Sequence, residues 1–173
     1  YALFHRVPGT LDILRDFMEN YVKEAGLAIV RDADNAKNQV RLVQQLLDLR
    51  AKFDDFISKS FAGERKAQRS LKNSFEHFIN SDLRCASHLA VYVDDLLKNG
   101  GKEKSDIDID DCMNRFIVLF CYFSDKDVFE NVYKNLLAKR LLNGKASDEL
   151  EKMMIVKLKA ECGNQFTSKL EGM

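Results

Sequence analysis

The sequence predicts an all-α protein. Three observations carry that expectation. Apolar residues recur at spacings of three and four along almost every long stretch, where strands would alternate. The single proline, Pro8, stands where helices begin. The one brief apolar run outside this pattern, Ala28 to Val30, has no turn-coupled alternation after it.

Composition sets the frame for those helices. The chain has 173 residues, of which 46% are hydrophobic and 31% charged, enough apolar side chain for a buried core and too much for a disordered chain. Lys and Arg number 27, equal to Asp and Glu, so no net charge draws the whole molecule to nucleic acid or to an anionic membrane. The longest apolar runs, such as Phe116 to Phe120, are far short of the roughly 20 residues that span a bilayer. Tyr1 to Arg6 do not resemble a signal peptide, and the expectation is a soluble chain of intracellular type. The start at Tyr1 and the stop at Met173 within an apolar pattern read as the ends of an excised piece.

The elements follow in order. Beyond Pro8 and Gly9, Thr10 is expected to cap a helix whose apolar face is Leu11, Leu14, Phe17, Tyr21 and Ala25, with Gly26 as its stop. The polar stretch Arg31 to Asn38 reads as a loop. A helix of over about twenty residues should then carry Val40, Val43, Leu46, Leu47, Phe53, Phe56, Ile57 and Phe61, until Gly63 breaks it. The next presents Ala67, Leu71, Phe75, Phe78 and Ile79, with a junction at Asn80 and Ser81. Cys85, Leu89, Tyr92, Val93, Leu96 and Leu97 trace another face, ended by Asn99, Gly100 and Gly101, and Lys102 to Ser105 reads as a linker.

Ser105, Asp106 and Asp108 place a cap and negative charge at the start of a helix whose core face is Met113, Phe116, Ile117, Phe120 and Phe123. Ser124 with Asp127 resembles a capping box and opens a helix bearing Phe129, Val132, Tyr133, Leu136, Leu137 and Leu141. Lys139 and Arg140 suit the dipole of its last turn, and Asn143 with Gly144 closes it. Ser147 can cap a helix with Leu150, Met153, Met154 and Leu158, ending at Cys162 and Gly163, and Phe166 with Leu170 begins one more.

No residue set for catalysis, cofactor binding or metal binding emerges. His5, His77 and His88 form no metal-spaced cluster, and there is neither a GxxxxGK[ST] loop nor a GxGxxG turn. Cys85 and His88 share a helical face, and the reading is a packed cysteine beside a surface histidine, not a nucleophile and its base. The acidic string Glu103, Asp106, Asp108, Asp110 and Asp111 lacks the glycine and spacing of a calcium loop and reads as linker and helix cap. Lys134, Lys139, Arg140 and Lys145 have no acidic residue between them, as suits a helix C-terminus, with an acidic protein face as the alternative contact. Cys85, Cys112, Cys121 and Cys162 contain no CxxC pair and are expected to be reduced, mostly buried thiols.

Two stretches resemble a known family. Lys126-Asp127-Val128-Phe129-Glu130, continuing through Tyr133-Lys134 to Leu137-Ala138-Lys139-Arg140-Leu141-Leu142, is similar to a signature of the cullins. So is the run from Ser147-Asp148 through Lys152-Met153-Met154, Lys157-Leu158-Lys159 and Glu161-Cys162-Gly163 to Phe166-Thr167-Ser168-Lys169-Leu170-Glu171-Gly172-Met173. Leu3 to Gly9 and Phe75 to Asn80 are weaker matches in the expected order.

The resemblance implies the end of a helical cullin repeat followed by an antiparallel helical bundle: residues 1–80 as the C-terminal part of the last repeat, residues 81–173 as the four-helix-bundle segment, truncated at its C-terminal end. It implies a non-catalytic, rigid scaffold segment of a cullin-RING E3 ubiquitin ligase, cytoplasmic and nuclear. Its RING-finger subunit and substrate adaptor would bind through regions outside this chain, and the neddylated lysine would also lie elsewhere. It implies no cofactor, no nucleic acid and no membrane. The alternative is the helical scaffold of another multisubunit assembly with cullin homology.

Overall fold

The computed structural model describes residue 7 and residues 9–103, 106–144 and 147–172, and among these every regular element is an α-helix. The chain divides into two compact units, Tyr1–Asp82 and Leu83–Met173. The first contains α1 (Thr10–Arg31), α2 (Ala33–Lys37), α3 (Gln39–Ser60) and α4 (Arg65–Ile79). The second contains α5 (Arg84–Glu103), α6 (Asp106–Phe120), α7 (Lys126–Leu142), α8 (Asp148–Cys162) and α9 (Asn164–Glu171).

Unit 1 is organised by the crossing of α1 and α4. Arg15 reaches Glu64, the Ser74 hydroxyl donates to the Glu19 carbonyl, and Gly26 meets Phe78, so the two helices run in the same direction. Gly26 is not the helix stop that the sequence suggested, because α1 continues five residues past it. A side chain there is what the packing forbids: a Cβ on Gly26 would lie 2.2 Å from the Phe78 ring, which is itself fully buried. The missing side chain is thus the socket for Phe78, worth more than the roughly 1 kcal/mol that glycine costs inside a helix.

The same crossing rotates α1 away from its expected face. Its buried residues are Arg15, Met18, Val22, Gly26 and Val30, whereas Phe17 and Tyr21 are exposed. The first four follow the predicted Leu14, Phe17, Tyr21 and Ala25 by one position each, a turn of about 100° about the helix axis. Hydrophobicity alone could not place a glycine and an arginine on the inner side. Nor does Thr10 cap the helix; Gly9 stands at the cap with φ of 84°, a left-handed conformation natural to glycine.

α3 and α4 agree with the pattern. Val43, Leu46, Leu47, Phe53 and Ile57 of α3 are buried, as are Ala67, Leu71, Phe75, Phe78 and Ile79 of α4. Phe56 is an exception, half exposed. The expected loop at Arg31 to Asn38 contains the single-turn α2, opened by Asp32, whose side chain accepts from the Asp34 amide. Asn35, fully buried, donates to the Ile29 carbonyl and to Gln45, and so ties this turn to the helices on both sides.

In unit 2, α5 runs through Asn99, Gly100 and Gly101 to Glu103, where a stop and then a linker were expected. The penalty of about 1 kcal/mol per glycine is small against the burial of Leu89, Tyr92, Val93, Leu96 and Leu97 upstream. α6 buries Met113, Phe116, Ile117 and Phe120, and its aromatic rings meet α7 at Phe129, whose centroid is 4.7 Å from that of Phe120 and 5.8 Å from that of Phe116; within α7, Phe129 and Tyr133 are 5.5 Å apart. α7 starts one residue later than the Ser124 capping box implied, because Asp125 caps it by accepting from the Asp127 amide at 3.2 Å. Ser147 is at the cap of α8 without a side-chain bond, and α8 ends at Gly163 as expected. The positions read for Pro8, Ser105 and Lys145, and the side chain of Phe166, lie outside the described residues.

Candidate functional site

Two features stand out from the helical packing, one in each unit. In unit 1 the rotation of α1 leaves an apolar groove of about 640 Å³ between α1 and the end of α3. Phe17, Tyr21, Phe53, Phe56 and Phe61 line it, and Lys59 and Ser60 contribute the polar edge. Phe17 is 71% exposed, an unusual position for a phenylalanine flanked by other rings. Arg15 is mostly buried nearby and forks onto both carboxylate oxygens of Glu64, at 2.9 and 3.1 Å, with Asp12 as a further partner.

In unit 2 a charge cluster sits within the core. The Arg140 side chain, in the last turns of α7, has no solvent exposure. Its Nε and Nη2 donate to Oε1 and Oε2 of Glu151 on α8 at 2.5 and 3.0 Å, and its Nη1 donates to Oδ1 of Asp94 on α5 at 2.6 Å. The Tyr133 hydroxyl donates to Glu151 at 3.2 Å, and the guanidinium lies 5.4 Å from the Tyr133 ring centroid, a cation–π arrangement. Lys98 donates to the remaining oxygen of Asp94 at 2.6 Å, so two cations face two carboxylates.

The electrostatics follow from this closure. Burial alone would pull the Arg140 pKa down, but its hydrogen bonds to Glu151 and Asp94 outweigh that and hold the guanidinium above its ordinary value. Burial, reinforced by the Glu151 charge, pushes the Tyr133 hydroxyl far above the usual phenol range. Both groups are fixed in one protonation state at physiological pH. The cluster binds three helices to one another, α5 through Asp94, α7 through Arg140 and α8 through Glu151.

The residues singled out from the sequence are dispersed. Cys85 and His88 are both buried in α5, so the histidine is not the surface group expected. Arg140 leaves the basic stretch altogether: Lys134 and Lys139 point outward while it points into the core. The acidic residues from Asp106 onward belong to α6, where Asp110 pairs with Lys157 at 2.9 Å and Asp111 with Arg115. The hydrogen bond from Lys157 lowers the Asp110 pKa.

Of the four thiols only Cys85 is buried; Cys112, Cys121 and Cys162 are half-buried. Partial burial and a hydrogen bond to Glu161 at 3.3 Å push the Cys121 thiol up to about 11. Among the described residues, no group of three histidine, cysteine or carboxylate side chains is arranged to hold a metal ion. No described helix is long and apolar enough to cross a membrane.

Comparison with known proteins gives this helical architecture its relatives. Residues 1–173 match the family model of the cullin alpha solenoid domain. The chain is 46% identical to Cullin-3A of Arabidopsis thaliana and 41% identical to Cullin-3 of Dictyostelium discoideum, with all of the chain covered in each case. It is 41% identical to Cullin-3 of Caenorhabditis elegans across 95% of its length. It spans 24%, 23% and 21% of these three proteins respectively, about a quarter of each or less. On a match that includes every residue, the chain belongs to the cullin family.

Proposed function

We propose that this chain is a rigid scaffold segment of a cullin-RING E3 ubiquitin ligase, holding the substrate-adaptor end and the RING end in fixed geometry for ubiquitin transfer. The observation that carries the reading is the cullin match over the whole chain. The packing supports it. Side chains that could have formed a reactive centre are spent on joining helices, as Arg140, Asp94 and Glu151 are.

A scaffold accelerates transfer without touching the reacting atoms. It keeps substrate and charged conjugating enzyme at high effective concentration over a restricted range of geometries, and flexure dilutes that advantage. In this reading, residues 1–80 close the last cullin repeat and residues 81–173 form the bundle segment that follows. The RING-finger subunit and adaptor bind elsewhere on the full-length protein, the segment itself is non-catalytic, and the protein works in cytoplasm and nucleus. The groove of unit 1 fits the same picture, because repeats of a helical solenoid leave an apolar face for the neighbouring repeat to bury. Its occupant is an adjoining helix of the full-length protein.

The test is to purify the full-length protein from its own cells and identify its partners by mass spectrometry. Recovery of a RING-finger protein together with an adaptor is the expected result. Repeated recovery without a RING protein would mean that the scaffold serves another assembly.

A further inference from the structure

The apolar stripes of unit 2 share a property that makes their alignment ambiguous. On α8 the buried residues Leu150, Met154 and Leu158 are four apart, and on α7 so are Phe129, Tyr133 and Leu137. A slide of α8 by one turn, about 5.4 Å, would replace the set Leu150, Met154 and Leu158 by Met154, Leu158 and Cys162. A slide of α7 would bring Leu141 into the place of Leu137. Both displaced stripes are wholly apolar. Apolar burial therefore discriminates weakly between the observed register and this neighbour, whereas the opposite slide of α7 would put Asp125 in the place of Phe129.

The buried charges do not share this degeneracy. A one-turn slide of α8 carries Glu151 away from Arg140 and puts either Ser147 or Ile155 in its place. Neither can accept the forked pair of hydrogen bonds, and a buried guanidinium would lose two of its three hydrogen bonds. A slide of α7 puts Leu136 or Gly144 opposite Glu151 and strips both Glu151 and Asp94 of Arg140.

We propose that Arg140, with Asp94, Glu151 and Tyr133, is the register lock of unit 2: it selects the observed alignment of α5, α7 and α8 over the one-turn slide that would keep both stripes apolar. Buried ion pairs commonly add little net stability compared with well-packed apolar residues of similar size, and fixing a register is their best-attested use. The lock stands independently of the ligase reading.

The experiment uses methionine methyl NMR, since Met153 and Met154 report on α8, Met113 on α6, and Met18 on unit 1 as an internal reference. The first variant replaces the four buried members by apolar residues, Asp94→Leu, Tyr133→Phe, Arg140→Met and Glu151→Leu together, and leaves only Lys98, whose side chain is one-third exposed, to be solvated by water. Its thermal unfolding is expected to stay close to that of the parent, while the Met153 and Met154 signals double or broaden and the Met18 signal stays in place. Single sharp signals for both α8 methionines in a variant that melts like the parent would overturn the lock.

A second variant covers the case in which the first does not fold. Glu151→Ile combined with Ile155→Glu moves the carboxylate one turn along α8 and keeps composition unchanged. The lock predicts that α8 follows it, so the methyl contacts of Met154 shift by one turn toward those made by Leu150 in the parent. A folded variant whose Met154 contacts are those of the parent would overturn the proposal.

Discussion

The two units solve one problem, the alignment of neighbouring helices, by different means. In unit 1 the Phe78 ring of α4 packs onto α1 where a side chain is absent, at Gly26, and fills the space. Charge stays at the edge there, with Arg15 and Glu64 retaining some exposure. In unit 2 the aromatic rings of α6 and α7 pack as a continuous series, and the charge lies at its end with no exposure at Arg140. In the first unit shape sets the fit, through the Phe78 ring against Gly26. In the second, regular stripes leave an apolar alternative, and in our proposal the polar cluster removes it. The difference teaches that a buried charge is most useful where apolar packing is least particular.

Removing one partner from each key should separate the two solutions. The largest effect is expected from Arg140→Ala, which leaves Glu151 buried with only the Tyr133 hydroxyl and Asp94 with only Lys98, at a cost of about 3 to 5 kcal/mol; urea unfolding checks it, and a loss near zero would mean that water reaches the cluster. In unit 1, Gly26→Ala should cost about 1 to 3 kcal/mol by overpacking against Phe78. Phe78→Leu in the same chain should recover part of that loss, whereas additive losses would show that the glycine is not the socket.

The face assignment of α1 gives a smaller and sharper contrast. Phe17→Ala in this chain should change stability by no more than about 0.5 kcal/mol, since the ring is already in solvent, while Val22→Ala on the buried face of the same helix should cost clearly more. In the full-length protein the same Phe17 change should lower the melting temperature, because the adjoining helix then loses its seat. Equal effects in both proteins would contradict that occupant.

The smallest expected effect concerns pH. The Cys121 thiol has a pKa raised to about 11, above that of an unfolded chain, so its contribution to stability is complete below the unfolded value near 8.5 and is lost as pH rises toward 11. Alkylation of Cys121 by iodoacetamide at pH 8 should accordingly be slower than that of an unstructured cysteine peptide. A rate equal to the peptide's would remove the hydrogen bond to Glu161 from the account.

Much of this fold was legible in the sequence, because stripes such as Ala67, Leu71, Phe75, Phe78 and Ile79 need only a period to be recognised, and all five are buried. The misreadings share a cause. Period and propensity alone make Gly26 a stop and Phe17 a core residue, because a residue's own hydrophobicity says nothing about what crosses it, and Phe78 is 52 positions from Gly26. Arg140 was assigned to a dipole-compensating last turn for the same reason. Its partners lie on α5 and α8, and only the signal of single acidic residues inside apolar faces, Asp94 beside Val93 and Glu151 beside Leu150, could have pointed to it. The family resemblance supplied what neither period nor charge could, and the match along the whole chain bears it out.

The central claim is that this segment serves ubiquitin transfer through stiffness. The most direct measurement is the rate of ubiquitin transfer by the full-length protein assembled with its adaptor and RING subunit, comparing the parent with the four-residue apolar variant of the Arg140 cluster. The account predicts a slower transfer with adaptor and RING binding unchanged. A variant whose α8 methionine signals are doubled, yet which transfers ubiquitin at the parent rate, would contradict it.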